Sequence, residues 1–166
     1  NKIYFLLLSS IFLLIGCEPK LTTYDILIKN GQIVDGSGQP AYTGAIAINA
    51  DTIAAVGDLE KVAGKQEIDA TGLTVAPGFI NMLSWANVSL LEDGRSQGDI
   101  RQGVTLEVLG EGSSMGPLSE SMKTTMKNGQ GDIKYDIPWT TLGEYLNHLE
   151  NKGISTNVAS FVGNAT

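Results

Sequence analysis

The sequence is poor in the residues that build covalent and metal frameworks. Its 166 residues include one cysteine, Cys17, and one histidine, His148. A single cysteine excludes an internal disulfide and any zinc site made of several cysteines. A catalytic zinc site usually takes three protein ligands, most often histidines. The chain therefore either lacks such chemistry or needs residues outside it to complete the site.

Basic residues are also scarce. The sequence has 11 lysines and arginines against 18 aspartates and glutamates, a net charge of -7, and no basic cluster. Nucleic acids and anionic membrane surfaces both require a basic footprint on the protein that binds them. We therefore expect no nucleic-acid partner.

The only long hydrophobic run lies at the N-terminus. Residues 3–15 are apolar and follow Lys2, the pattern of a secretory signal. The run is shorter than the roughly 20 residues that a membrane span needs. It ends in Leu-Ile-Gly-Cys at 14–17, which resembles a bacterial lipobox. A plain signal anchor with an incidental cysteine is the alternative.

The lipobox reading predicts a location. Residues 1–16 are expected to be a lipoprotein signal peptide, and residues 17–23 a short tether. Cleavage before Cys17 and lipid attachment to it would anchor the protein in a membrane, because several acyl chains together hold stably. The expected location is the bacterial cell envelope, facing the periplasm or the exterior.

Residues 24–76 consist of short strand-like runs separated by glycine, asparagine and aspartate. Residues 24–30 are rich in β-formers and end in Asn30-Gly31, a strong hairpin signal. Residues 44–49 alternate between apolar and small or polar side chains. Five or six such strands predict a small β-sandwich, or part of one.

The pattern changes after Pro77 to strands separated by helices. Thr141 and Glu144 form a capping box that opens a helix, and Ser96 with Asp99 resembles one. Gly103 and Gly153 are expected to end these two helices.

Compact apolar runs at 105–110 and 157–163 are typical of buried strands, whereas 112–138 is predicted to be a long loop. Strand, helix, strand, helix, strand predicts a parallel sheet. A (β/α)8 barrel of TIM type takes about 250 residues, so residues 77–166 have room for roughly three of its eight strands. The predicted fold class is mixed β and α/β: a β-sandwich portion, then the first βα units of an incomplete barrel. We expect the chain to be the first part of a larger enzyme.

Five segments stand in a specific order and spacing: Tyr24–Gly38, Asp51–Asp58, Ile68–Ile80, Gln102–Thr105 and Phe161–Thr166. Any one of them is a weak signal, but together they resemble the amidohydrolase superfamily, and within it the N-acyl-D-amino-acid deacylases, also called D-aminoacylases. The resemblance covers about residues 24–166.

The resemblance implies a hydrolase that acts on the amide C–N bond of a small N-acyl amino acid or a related amide. It also implies a divalent metal, zinc being expected, which lowers the pKa of a bound water. A carboxylate from a late barrel strand usually moves the proton in this family, and that strand is not in this chain.

The sequence departs from the family at its metal ligands. The family's His-x-His pair falls on Leu83 and Trp85, whose side chains do not bind metals. The family's cysteine falls near Gly112, and a later histidine falls on Asn164. The resemblance therefore predicts the scaffold more firmly than the chemistry, and no catalytic residue is assigned.

Three residues remain as site candidates. Glu111 follows a buried strand, where barrel active sites are built, and is expected to bind a metal or a substrate amine; a solvated loop glutamate is the alternative. Asn164 and Trp85 are expected to bind substrate, the alternatives being a loop residue and a core residue. Asp93 and His148 are expected to be structural, in a turn and on a helix.

Two other functions stay open. The parent protein is either a D-aminoacylase-like enzyme or a binding lipoprotein that kept the fold and lost catalysis. Another amidohydrolase activity, such as cyclic amide hydrolysis, is the third reading. The 166-residue chain alone is expected to be inactive.

Overall fold

The computed structural model describes residues 21–163, which divide into two compact units. The first unit extends to Pro77 and the second begins at Gly78. Cys17, the predicted signal peptide and Asn164 lie outside the described residues. Within the described part of the chain, none of the helices combines the length and the apolar character that a membrane span requires.

The first unit is a five-stranded sheet in the order β3-β2-β1-β4, with β5 paired to β1. β1 runs antiparallel to β2 and parallel to β4 and β5, and β2 runs antiparallel to β3. The prediction of a strand-rich N-terminal part is confirmed, and within residues 21–77 the strands form one sheet. The strands are β1 (Thr22–Ile33), β2 (Tyr42–Asn49), β3 (Thr52–Gly57), β4 (Val62–Asp69) and β5 (Thr74–Val75).

The hairpin predicted at Asn30-Gly31 is wrong, because β1 continues through both residues. Asn30 has a φ of 64°, and the register between β1 and β2 shifts between Ile28 and Gly31. This is a β-bulge, in which one extra residue is absorbed without reversing the chain. The Asn30 side chain donates a 3.0 Å hydrogen bond to Asp69 of β4. The reversal into β2 takes place instead in the loop of residues 34–41.

The second unit contains a three-stranded parallel sheet in the order β6-β7-β8. The predicted alternation of parallel strands and helices is confirmed. Its strands are β6 (Phe79–Asn81), β7 (Val104–Leu109) and β8 (Asn157–Ser160). Its helices are α1 (Ser89–Glu92), α2 (Gln97–Ile100), α3 (Glu120–Asn128) and α4 (Leu142–Lys152).

Helix α3 lies inside the segment predicted to be a loop, so that prediction is partly wrong. The Ser119 hydroxyl accepts a 3.3 Å hydrogen bond from the Met122 amide, and the Ser119 amide contacts the Met122 sulfur. The pattern sought in the sequence has Glu or Gln three residues after the cap. Methionine stands there instead, and the helix start was therefore missed.

Helix α4 begins at the predicted capping box, and this prediction is confirmed. Thr141 accepts a hydrogen bond from the Glu144 amide, and Glu144 accepts one from the Thr141 amide. The helix ends before Gly153, whose φ is 82°. Its buried face packs in the core of this unit. That core consists of Leu90, Leu109, Met115, Leu118, Ile137, Trp139, Tyr145 and Leu149.

Candidate functional site

Three chain segments meet where the parallel strands end. They comprise residues 83–87 after β6, residues 110–116 after β7 and residues 161–163 after β8. We call these three segments together the carboxyl edge. In open and closed α/β sheets this is the edge where ligands bind.

Leu83 and Trp85 lie at this edge on either side of Ser84, and both are open to solvent. Their relative exposures are 53% and 73%, which is high for large apolar side chains. A methyl group placed on Gly112 would lie 3.9 Å from Cη2 of the Trp85 ring. The structure therefore brings Trp85 next to the loop that follows β7.

Glu111 is exposed at the start of that same loop, directly before Gly112. Gly110 makes the turn, with a φ of 81° that favours glycine. A side chain on Gly110 would collide with the backbone oxygen of Phe161. Only glycine fits at this position, so the chain leaves β7 through a fixed turn. That turn sets the backbone position of Glu111.

Hydrogen bonds tie the three segments of the carboxyl edge together. The Gly163 amide donates to the Ser114 hydroxyl at 3.0 Å, linking the end of the third segment to the second. The Asn87 side chain donates to the Ser113 carbonyl at 3.4 Å, linking the first segment to the second. Asn164, the remaining predicted substrate-binding residue, follows Gly163 and lies outside the described residues.

A buried carboxylate that is not among the predicted site residues lies behind this edge. Glu107 of β7 has a relative exposure of 0%. It accepts hydrogen bonds from the hydroxyls of Ser84 at 2.6 Å, Ser96 at 2.7 Å and Thr156 at 2.9 Å. A glutamate inside the run Thr-Leu-Glu-Val-Leu was a detectable signal, because charged residues are rarely fully buried unless paired.

The same carboxylate explains why the capping box predicted at Ser96 is wrong. Ser96 precedes α2, but it has a φ of 46° and its side chain makes no capping hydrogen bond. Its hydroxyl oxygen is 2.7 Å from a carboxylate oxygen of Glu107 and 3.5 Å from one of Asp99. The hydroxyl has one hydrogen to donate, and it forms the shorter hydrogen bond with the buried Glu107 and not with the nearby Asp99.

The two residues expected to be structural lie on a helix and in a turn. His148 is on α4, with its ring 5.2 Å from that of Trp139. Asp93 forms a bidentate pair with Arg95 in the turn after α1. The hydrogen bonds from Arg95 lower the pKa of Asp93 to about 2.

Both the sequence and the fold of this chain are similar to those of known D-aminoacylases. A D-aminoacylase of Alcaligenes xylosoxydans xylosoxydans is 31% identical over 147 residues, covering 86% of this chain and 30% of the relative. A crystal structure of D-aminoacylase described as defining a novel subset of amidohydrolases superposes with a TM-score of 0.73 at 28% identity. That superposition covers 84% of this chain and 30% of the other. The chain is homologous to the D-aminoacylases.

A third relative has been solved with a bound metal ion. The N-acyl-D-glutamate deacylase of Bordetella bronchiseptica, solved with zinc and a phosphonate inhibitor, superposes with a TM-score of 0.70 at 29% identity. The match covers 86% of this chain and 30% of that one. The chain thus spans under a third of the length of these D-aminoacylase relatives. No protein-family model matches it.

The described residues do not fit the metal centre of this family. No group of three or more histidine, cysteine, aspartate or glutamate side chains between residues 21 and 163 is arranged to hold a metal ion. Leu83 and Trp85 offer no donor atom for a metal, and Glu111 offers a single carboxylate. What this edge does offer is an exposed aromatic and aliphatic surface, with the exposed Glu111 carboxylate in the loop that approaches Trp85.

Proposed function

We propose that the protein containing this chain hydrolyses the amide bond of N-acyl-D-amino acids or closely related amides. Residues 78–163 would form the first βα units of a (β/α)8 barrel, preceded by a β-sandwich portion. The observation that carries the proposal is homology to D-aminoacylase over 86% of the chain, together with a TM-score of 0.73 to a solved D-aminoacylase.

The chain's own contribution in this proposal is substrate binding. Leu83 and Trp85 would contact an apolar part of the substrate, because both are large, apolar and exposed at the carboxyl edge. Glu111 would accept a hydrogen bond from the substrate N–H, and Asn164 would donate or accept one. A divalent metal such as zinc enters the proposal only through Glu111, and the described residues do not complete a site for it.

The test is a hydrolysis assay of the intact protein on matched N-acyl-D- and N-acyl-L-amino acids, with bound metal measured in parallel. We expect cleavage of the D-substrates and a raised KM in Trp85→Ala. Trp85→Phe is the matched control, since it keeps an aromatic surface. Absence of cleavage across a broad acyl panel, with and without added divalent metals, contradicts the proposal.

A second candidate function is binding without hydrolysis, which the two apolar side chains at the His-x-His positions favour. In this case N-acyl-D-amino acids would bind in calorimetry but remain intact after prolonged incubation. The double change Leu83→His with Trp85→His separates the two candidates further. If the double change raises both the metal content and the turnover, Leu83 and Trp85 stand in place of the ligands of a metal-dependent enzyme.

We also propose that the protein is anchored to a bacterial envelope membrane through lipid on Cys17. The proposal rests on the apolar run at residues 3–15 and the Leu-Ile-Gly-Cys sequence that ends it. Metabolic labelling with an alkyne fatty acid is expected to mark the protein and to fail in Cys17→Ser. Ser10→Ala is the matched control and is expected to label normally. Equal labelling of Cys17→Ser contradicts the anchor.

A further inference from the structure

Glu107 is a fully buried carboxylate that the proposed reaction does not use. Its relative exposure is 0%, and among residues 21–163 no lysine, arginine or histidine forms an ion pair with it. Three hydroxyl groups satisfy it instead, from Ser84, Ser96 and Thr156. A buried acidic side chain without a cation persists only where such donors are held in place.

The donors come from three different parts of the chain. Ser84 follows β6, Ser96 precedes α2, and Thr156 precedes β8. Glu107 itself lies in β7, the central strand of the sheet. One side chain therefore joins all three parallel strands and the connection between the first two.

The bond to Ser84 bears on the carboxyl edge. The Ser84 hydroxyl donates to Glu107 at 2.6 Å and accepts from the Ala86 amide at 3.2 Å. The Ser84 amide donates to the Val108 carbonyl at 3.0 Å. Ser84 is buried while its neighbours Leu83 and Trp85 are exposed. Fixing Ser84 inward therefore directs both neighbours outward, toward the place where a substrate would lie.

We propose that Glu107 is a positioning residue for the carboxyl edge, acting through Ser84 to hold Leu83 and Trp85 in their outward orientation. The inference relies on the proposed function only in treating Trp85 as part of the substrate site. The two other hydroxyls bind the opposite carboxylate oxygen, Oε1, whereas Ser84 binds Oε2. Glu107 is thus linked to residues 83–85 through Oε2, and to the starts of α2 and β8 through Oε1.

The test uses 19F NMR of the intact protein labelled with 5-fluorotryptophan. The Trp85 signal is assigned by its loss in Trp85→Phe. Ser84→Ala is expected to move or broaden that signal beyond its linewidth, and Ser84→Thr, which keeps a hydroxyl, is expected to restore it. Glu107→Gln is expected to move it as well, and adding this change to Ser84→Ala should produce no further shift.

Thr156→Val is the matched control, because it removes a Glu107 partner that binds Oε1, whereas Ser84 binds Oε2. It is expected to lower the melting temperature while leaving the Trp85 signal in place. If Thr156→Val moves the Trp85 signal as much as Ser84→Ala does, Glu107 has a merely structural role and the proposal fails. It also fails if Ser84→Ala leaves the signal unchanged. Should Glu107→Gln not fold, the Ser84 and Thr156 variants decide alone.

The readout is independent of turnover, so this inference and the proposed function fail separately. If the Trp85 signal moves in a protein that cleaves no amide, the positioning role of Glu107 stands. Only the proposed hydrolase activity is then contradicted. In an active protein, Ser84→Ala is expected to raise KM more than it lowers kcat, because the displaced residues bind substrate.

Discussion

Two glutamates four residues apart show how differently one side chain can be used in this protein. Glu107 lies within β7, is fully buried and accepts hydrogen bonds from three hydroxyls. Glu111 lies beyond the strand, between two glycines, and is exposed. The first holds the sheet and its connections together, and the second is free to meet a ligand.

The difference separates a support region from a contact region. The support region is the buried side of the second unit, with Glu107, Trp139 and Tyr145. The contact region is the exposed part of the carboxyl edge, with Leu83, Trp85 and Glu111. Changes in the support region should cost folding free energy, whereas changes to these three exposed residues should alter binding and leave folding nearly intact.

The two tryptophans give the largest expected contrast. Trp139 is 2% exposed, donates from its indole nitrogen to the Met115 carbonyl at 2.8 Å and lies 5.2 Å from the Tyr145 ring. Trp139→Ala is expected to lower the free energy of unfolding by about 3–5 kcal/mol. Trp85→Ala should change it by less than about 0.5 kcal/mol. Urea unfolding of the two variants measures both, and similar losses would erase the distinction between the regions.

The two glutamates come next. Glu107→Ala removes the acceptor for three hydroxyls, those of Ser84 and Thr156 being buried, and leaves a cavity, so we expect a loss of about 3 kcal/mol. Glu111→Ala should leave the urea midpoint unchanged. Glu107→Gln, which preserves the side-chain volume, is the control. It separates the loss of stability caused by the cavity from the loss caused by removing the charge. A Glu107→Ala protein as stable as the unchanged one would show that the hydroxyl network does not stabilise the fold.

Much of the second unit followed from the sequence, because its strands and the α4 cap are local patterns. The apolar runs gave β7 and β8, and Thr141 with Glu144 gave the start of α4. The Asn30 bulge did not follow, because an αL asparagine suits both a turn and a bulge, and the partner strand decides. Helix α3 was missed because methionine replaces the acid of its capping box.

The candidate site was less predictable than the fold. Glu111 stood out because it follows a strand and is flanked by glycines, and the structure brings the next residue, Gly112, close to the Trp85 ring. The place of Glu107 inside an apolar run was a local signal, but nothing in the sequence indicated its partners Ser84, Ser96 and Thr156, which only the folded chain brings together. A hydrogen-bond network between separate segments of the chain leaves no local pattern.

Two hydroxyl residues with the same sequence pattern provide a smaller contrast. Ser96 donates to buried Glu107, whereas Thr141 caps α4. Ser96→Ala is expected to lower the free energy of unfolding by about 2 kcal/mol, since the acceptor is a buried carboxylate. Thr141→Ala should lower it by about 1 kcal/mol, the usual value of a cap. Thermal melts of both would contradict this interpretation if Thr141→Ala were the more damaging change.

The smallest expected effect is a pH dependence at the α4 cap. Glu144 accepts hydrogen bonds from the backbone amides of Thr141 and Thr140, and these lower its pKa below the ordinary 4.5. A lowered pKa in the folded protein means that the stabilisation is present above pH 4.5 and is lost as the pH falls through the folded value. The stability difference between the unchanged protein and Glu144→Gln should therefore shrink as the pH falls from 7 to about 3. Glu150→Gln, an exposed change on the same helix, is the control. A difference that stays constant with pH would mean that the carboxylate charge contributes nothing to the cap, and that the Thr141 hydroxyl alone holds the helix start.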